Sequence, residues 1–155
     1  MIDSQSQTLL QEVLRREGRS ELMYVAEAYP WAAARGEAAR AALQALTREE
    51  SDALTALGRW LMRQRVPLPY LGAFPTGFTT INFLALDYLL PRLRDLQREA
   101  VARLERDAHA ATSPEARAQL ESLLALKKRH LATLESLASP APPGQPAAAE
   151  PALSH

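Results

Sequence analysis

The chain has 155 residues, enough for one domain with a substantial core, and 47% of them are hydrophobic. Eighteen Lys and Arg balance eighteen Asp and Glu, which argues against a nucleic-acid polyanion as partner, since that would favour a basic face. Cysteine is absent, which excludes disulfides, thiolate metal ligands and cysteine nucleophiles.

Leu and Ala carry the apolar content and only 6% of the residues are aromatic. With Arg, Glu and Gln they form a set of strong helix formers, so an all-α fold is expected. The opening Met1-Ile2-Asp3-Ser4-Gln5 has no charged-then-apolar signal pattern. No apolar run approaches the roughly 18 residues of a membrane span. A cytoplasmic protein without a membrane segment is expected.

Four helices are predicted in chain order. The first covers 4–29 and stops at Pro30, with Gly18 inside it as a possible kink. The second covers 37–65 and stops before Pro67. The third opens near Thr79 or Thr80 as N-cap and runs to Ala110, with Pro91 bending it. The fourth opens at Ser113-Pro114-Glu115, a capping serine, an N-terminal proline and a first-turn acid, and runs to Ala138. Residues 1–138 thus form one bundle. The Pro/Ala-rich stretch 139–155 is predicted to be a disordered tail, because it cannot bury a core.

The connections argue for topology. The first–second and third–fourth links are short, which predicts two antiparallel hairpins. The link 66–78, VPLPYLGAFPTGF, is long and apolar. Extended, it reaches about 40 Å, near the length of a helix of about 27 residues at about 1.5 Å each. That predicts a crossover between the second and third helices. Its aromatic and apolar content predicts packing on the bundle itself or, in the other reading, a self-association surface.

Polar residues interrupt the apolar stripes. Glu17 and Glu21 fall inside the stripe of the first helix, Glu50 inside the second, Gln97 at the edge of the third, and Lys127 and His130 inside the fourth. Glu17, Glu50, Gln97 and Lys127 lie near the middle of their helices, so a bundle brings them to one central layer. A buried charge must be paired or neutralised. Mutual pairing of Glu17, Glu50, Lys127 and His130 is therefore expected; the plainer reading lets Lys127 snorkel to solvent, with the glutamates at the stripe's margin. His109 and His155 lie near ends, and Trp31, Trp60, Tyr24 and Tyr29 are expected to pack.

This pattern resembles the ferritin-like superfamily, the rubrerythrin and ferritin type of four-helix bundle. Those proteins place a Glu on each of two helices and a Glu-x-x-His pair on each of the other two. Glu17 or Glu21 resembles the first-helix glutamate. Glu50-Ser51-Asp52-Ala53 resembles the second-helix pair with Ala53 in place of histidine. Gln97 stands at the third-helix position without its carboxylate. Lys127-Lys128-Arg129-His130 resembles the fourth-helix pair with Lys127 in place of glutamate. The resemblance implies a ferritin-like four-helix bundle with a long crossover and a degenerate di-iron site. Glu17, Glu21, Glu50, Gln97, Lys127 and His130 are then vestigial metal-site positions, with the Lys127 ammonium as internal counterion. No catalytic residue, bound metal or cofactor is expected. The function expected is a non-catalytic bundle acting through protein interaction or as a homo-oligomer, by helix faces or the 66–83 segment. The alternative is an iron-binding or di-metal oxidoreductase with an atypical ligand set. A third reading, a scaffold recognised by its tail, rests on 139–155 alone.

Overall fold

The structure is a computed structural model that describes residues 2–28, 36–83 and 85–139. It is all-helical, with no strand among the described residues. The helices are α1 (Ser4–Gly18), α2 (Glu21–Ala28), α3 (Glu37–Arg63), α4 (Leu86–Ala110) and α5 (Pro114–Ala138), with a 3-10 segment at Thr76–Phe83 before α4. No helix among the described residues is long and apolar enough to cross a membrane. The predicted tail from residue 140 onward, and Tyr29, Pro30 and Trp31, lie outside the described residues.

Two of the four predicted helices need correction. The stretch expected as one helix over 4–29 breaks after Gly18. Ser20 starts a new helix: its hydroxyl accepts from the Met23 N–H at 3.3 Å, and its carbonyl accepts from the Tyr24 N–H at 3.1 Å. A helix-ending glycine followed by a capping serine and an acid is a stop-and-restart signal, and it outweighs the continuous apolar stripe. The helix expected from Thr79 or Thr80 starts instead at Leu86, with Ala85 as N-cap. Thr79 directs its hydroxyl to the Thr76 carbonyl at 2.8 Å, inside the 3-10 segment. Pro91 consequently falls in the second turn of α4 rather than mid-helix. The start of α5 follows the sequence: Ser113 Oγ accepts from the Ala116 N–H, and Pro114 takes the first helical position.

The core falls into two clusters that fix the directions of the helices. One holds Leu10 and Val13 of α1, Leu57 and Leu61 late in α3, Leu104 late in α4 and Leu120 early in α5. The other holds Leu22 and Val25 of α2, Leu43 and Leu46 early in α3, Leu89 and Leu93 early in α4 and Leu134 late in α5. So α3 runs opposite to α1 and α2, α5 runs opposite to α4, and α3 and α4 point the same way. The link between α3 and α4 must return along the whole length of the molecule.

The contacts of that link trace its path. Pro67 accepts from Gln11 Nε2 at 2.7 Å, Gly72 accepts from Arg19 Nε at 2.7 Å, and Phe74 and Phe78 pack their rings on Tyr24 at 5.4 and 5.8 Å. It thus runs beside α1 and then α2. A Cβ at Gly18 would sit 3.3 Å from Leu71 Cδ1, so the link lies tight against the break. Packing on its own helices accounts for much of the segment's apolar character, although Leu68 and Tyr70 stay exposed.

The link leaves α3 through a reversed-turn cap. The Val66 N–H bonds to the Leu61 carbonyl and the Arg65 N–H to the Met62 carbonyl, while Val66 and Leu61 are both buried. This is the Schellman arrangement, and it places Arg65 at φ 59°. That conformation costs a side-chain-bearing residue about 1–2 kcal/mol, against a glycine entropy cost of about 0.5–1 kcal/mol. Arg65→Gly should therefore stabilise the protein by about 0.5–1 kcal/mol, read as a higher midpoint in urea unfolding with an unchanged slope.

Candidate functional site

Five of the six positions singled out in the sequence meet between the two apolar clusters. Glu17 sits in the last turn of α1, Glu50 in mid-α3, Gln97 in mid-α4, and Lys127 and His130 one turn apart on α5. All five are buried, Lys127 and Glu50 almost completely. Lys127 does not reach solvent; its ammonium is enclosed by the layer.

The Lys127 Nζ lies 2.8 Å from Glu17 Oε2 and 3.2 Å from Glu50 Oε1. Gln97 Nε2 donates to Glu50 Oε1 at 2.9 Å and to the Lys127 carbonyl at 3.2 Å. Both partners are acceptors, which fixes the amide's orientation. His130 Nδ1 approaches Glu50 Oε1 to 3.5 Å without an aligned hydrogen bond, while its Nε2 meets Glu49 Oε2 at 3.1 Å. On the other side, Arg16 Nε donates to Glu17 Oε1 at 3.0 Å and Arg16 Nη2 holds Asp107 Oδ2 at 2.8 Å.

Glu21 stands apart. It is buried on α2 and held by the Arg92 guanidinium, with Nε at 2.9 and 2.8 Å from its two oxygens. The two-oxygen grip of one guanidinium satisfies it without the central layer. Glu49, Arg16, Asp107 and Arg92 were not foreseen from the sequence. Each lies off the apolar stripe, and only the tertiary pairing reveals its part.

Burial opposes the charges of Lys127, Glu50 and His130, and the neighbours overcome it. It would lower the Lys127 pKa, but the Glu50 and Glu17 carboxylates hold the ammonium above its usual range. It would raise the Glu50 pKa, but His130, Lys127 and Gln97 hold the carboxyl below its usual range. His130 is pushed down by burial and up by Glu50 and Glu49, with the upward effect prevailing.

These directions limit the chemistry. Lys127 is locked as a cation and is no nucleophile. Glu50 is locked as an anion and is poorly matched to proton transfer near neutrality. A groove of about 720 Å³ beside α3 is lined by none of the five residues, so it gives no substrate access to them. The donor set does not fit two irons. Glu17 and Glu50 are its only buried carboxylates, an ammonium lies within hydrogen-bond distance of both, and Gln97 presents an N–H donor where a ligand needs a lone pair. Among the described residues no group of three or more His, Asp or Glu is arranged to hold a metal ion.

Comparison of the chain with family models, with curated proteins and with solved structures finds no match.

Two outcomes follow for stability. Lys127→Met leaves Glu50 buried with Gln97 and His130 alone, so unfolding in urea at pH 7 should show a loss of about 3–5 kcal/mol. The loss should shrink in acid, where protonation discharges Glu50; a loss below about 1 kcal/mol would contradict a closed charge layer. The raised His130 pKa means the folded chain keeps a proton that the unfolded chain releases. Its contribution is complete below pH about 6.5 and fades as pH rises through the folded-state pKa. Stability of the native chain should fall across that window, and His130→Gln should flatten the slope.

Proposed function

We propose that this chain is a ferritin-like bundle in which a cation of the protein itself stands where relatives hold a metal pair, and that it works through protein contacts rather than catalysis. The observation that carries this reading is the Lys127 ammonium between Glu17 and Glu50, at 2.8 and 3.2 Å. Helix directions support the fold part: α3 and α4 run the same way and a long link returns along α1 and α2, as ferritin-like connectivity requires.

Chemistry supports the functional part. The enclosed layer presents no open coordination position and no group poised for turnover; the lysine fills the space between the two carboxylates and supplies them with a positive charge. What remains for the protein to offer is surface. Met62, Leu68, Tyr70 and Tyr88 are large apolar side chains left in solvent, at 60%, 47%, 91% and 77% exposure. Such residues are common partners in self-association.

Two measurements on purified full-length protein test the reading. Metal analysis after growth in iron-rich medium should find iron far below one atom per chain, and chelator treatment should leave the melting temperature unchanged. Sedimentation should find a dimer or larger species, or a copurifying protein. Stoichiometric iron, or a strict monomer with no partner, overturns it.

A further inference from the structure

The groove beside α3 has features that the acid–base layer does not explain. It runs between α3, the α1–α2 leg and the returning link, from Gln44 to Met62 along α3. Those eighteen residues of rise span about 27 Å. Its volume of about 720 Å³ is in the range of small-molecule sites, roughly 300–1,000 Å³.

The lining is asymmetric in charge. Arg19, Arg48 and Arg59 line the groove and no Asp or Glu does, in a chain whose acids and bases balance. Arg19 is occupied: it donates to the Gly72 and Gly18 carbonyls and lies over the Phe74 ring at 4.8 Å. Neither Arg48 nor Arg59 has an ion-pair partner among the described residues.

The lining is also asymmetric along its length. Gln44, Thr47, Arg48 and Ser51 gather on α3 at the end near α2, facing Met23, Ala26 and Phe74, and the Thr47 hydroxyl is donated to the Gln44 carbonyl at 2.9 Å. Toward the other end the floor becomes Leu14, Leu54, Gly58, Met62, Leu68 and Leu71. Gly58 keeps the wall low there: a Cβ on it would already touch Leu68 at 3.7 Å and Leu14 at 3.9 Å, so these two leucines flank the glycine. Met62 and Leu68 are 60% and 47% exposed, an apolar cost in water that a ligand chain in the groove would relieve.

We propose that this groove binds a long-chain carboxylate, with its head on Arg48 beside Gln44 and Ser51, and its hydrocarbon chain laid over Leu54 and Gly58 toward Met62 and Leu68. A carboxylate matches the planar guanidinium donors. A hydrocarbon chain matches the far half, where a peptide would bring a backbone donor and acceptor at every residue and find only Thr55 and Arg59 to meet them. Arg59 is an exposed member of the apolar half, one turn from Met62. The site shares no residue with the central layer, although Met62 and Leu68 also belong to the exposed set named for self-association; metal content and sedimentation test that reading and ligand binding tests this one, so the two fail separately.

Binding of sodium hexadecanoate, below its micelle concentration, is measured on the full chain by displacement of a fluorescent polyene fatty acid. Arg48, Thr55 and Arg59 are exposed, so substitution there leaves the core intact, which circular dichroism checks. One saturable site per chain is expected, with hexadecan-1-ol binding more weakly. Arg48→Glu should weaken binding by about tenfold or more, Thr55→Trp should abolish it by filling mid-groove, and Arg59→Glu should change it much less. No saturable binding, equal affinity for the alcohol, or indifference to Arg48→Glu and Thr55→Trp overturns the proposal. So does a ligand-free dimer that Thr55→Trp dissociates, which would make the groove an interface between copies.

Discussion

An ammonium sealed among carboxylates, away from water, sets the terms for the rest of this fold. A lone buried charge is expensive, and Lys127 is tolerated because Glu17 and Glu50 reach it from two other helices. Each acid carries further partners. Arg16 satisfies the second oxygen of Glu17 and ties it to Asp107 on α4, and Gln97 of α4 secures Glu50. All four helical legs therefore contribute to a single charge system. The apolar clusters above and below supply most of the hydrophobic driving force, but they would tolerate sliding of one helix along another. The polar layer admits one register.

His130 occupies an intermediate position in this system. Its Nδ1 faces the buried Glu50 and its Nε2 faces Glu49, which is more than half exposed. Both carboxylates hold its proton more tightly than water would. Glu50 Oε2, by contrast, is buried with no hydrogen-bond partner among the described residues. The layer is thus over-supplied with contacts on one carboxylate oxygen and under-supplied on the other.

Much of this was legible in the sequence. A polar residue inside an apolar stripe is a strong signal, because a helix periodicity argument assigns it to the interior whatever its type. Glu17, Glu50, Gln97, Lys127 and His130 were all found that way. The same argument overstated Glu21, which lies on the stripe of a continuous helix but follows a break. The Gly18-Arg19-Ser20-Glu21 signal was present; a stripe of apolar residues on both sides hid it. The start of α4 was harder to foresee, since Thr79 has a good capping side chain and spends it on a local carbonyl. The partners Arg16, Glu49, Arg92 and Asp107 sit on polar faces among many similar residues, and nothing local distinguishes those that fold inward.

The connectivity also shapes how such a chain assembles. The α4–α5 hairpin closes through a turn of three residues, 111–113, and is local. The start of α1 is tied to that same turn, with Ser6 Oγ 3.1 Å from Thr112 Oγ1 and Thr112 Oγ1 donating to Asp3 at 2.9 Å, across more than a hundred residues. Glu17 and Lys127 are 110 residues apart. Loop closure of that span adds entropy only logarithmically, yet it must precede the pairing. Without the first helix, Lys127 would have Glu50 as its one carboxylate partner and a side open to water, so full burial of the ammonium depends on α1 being in place.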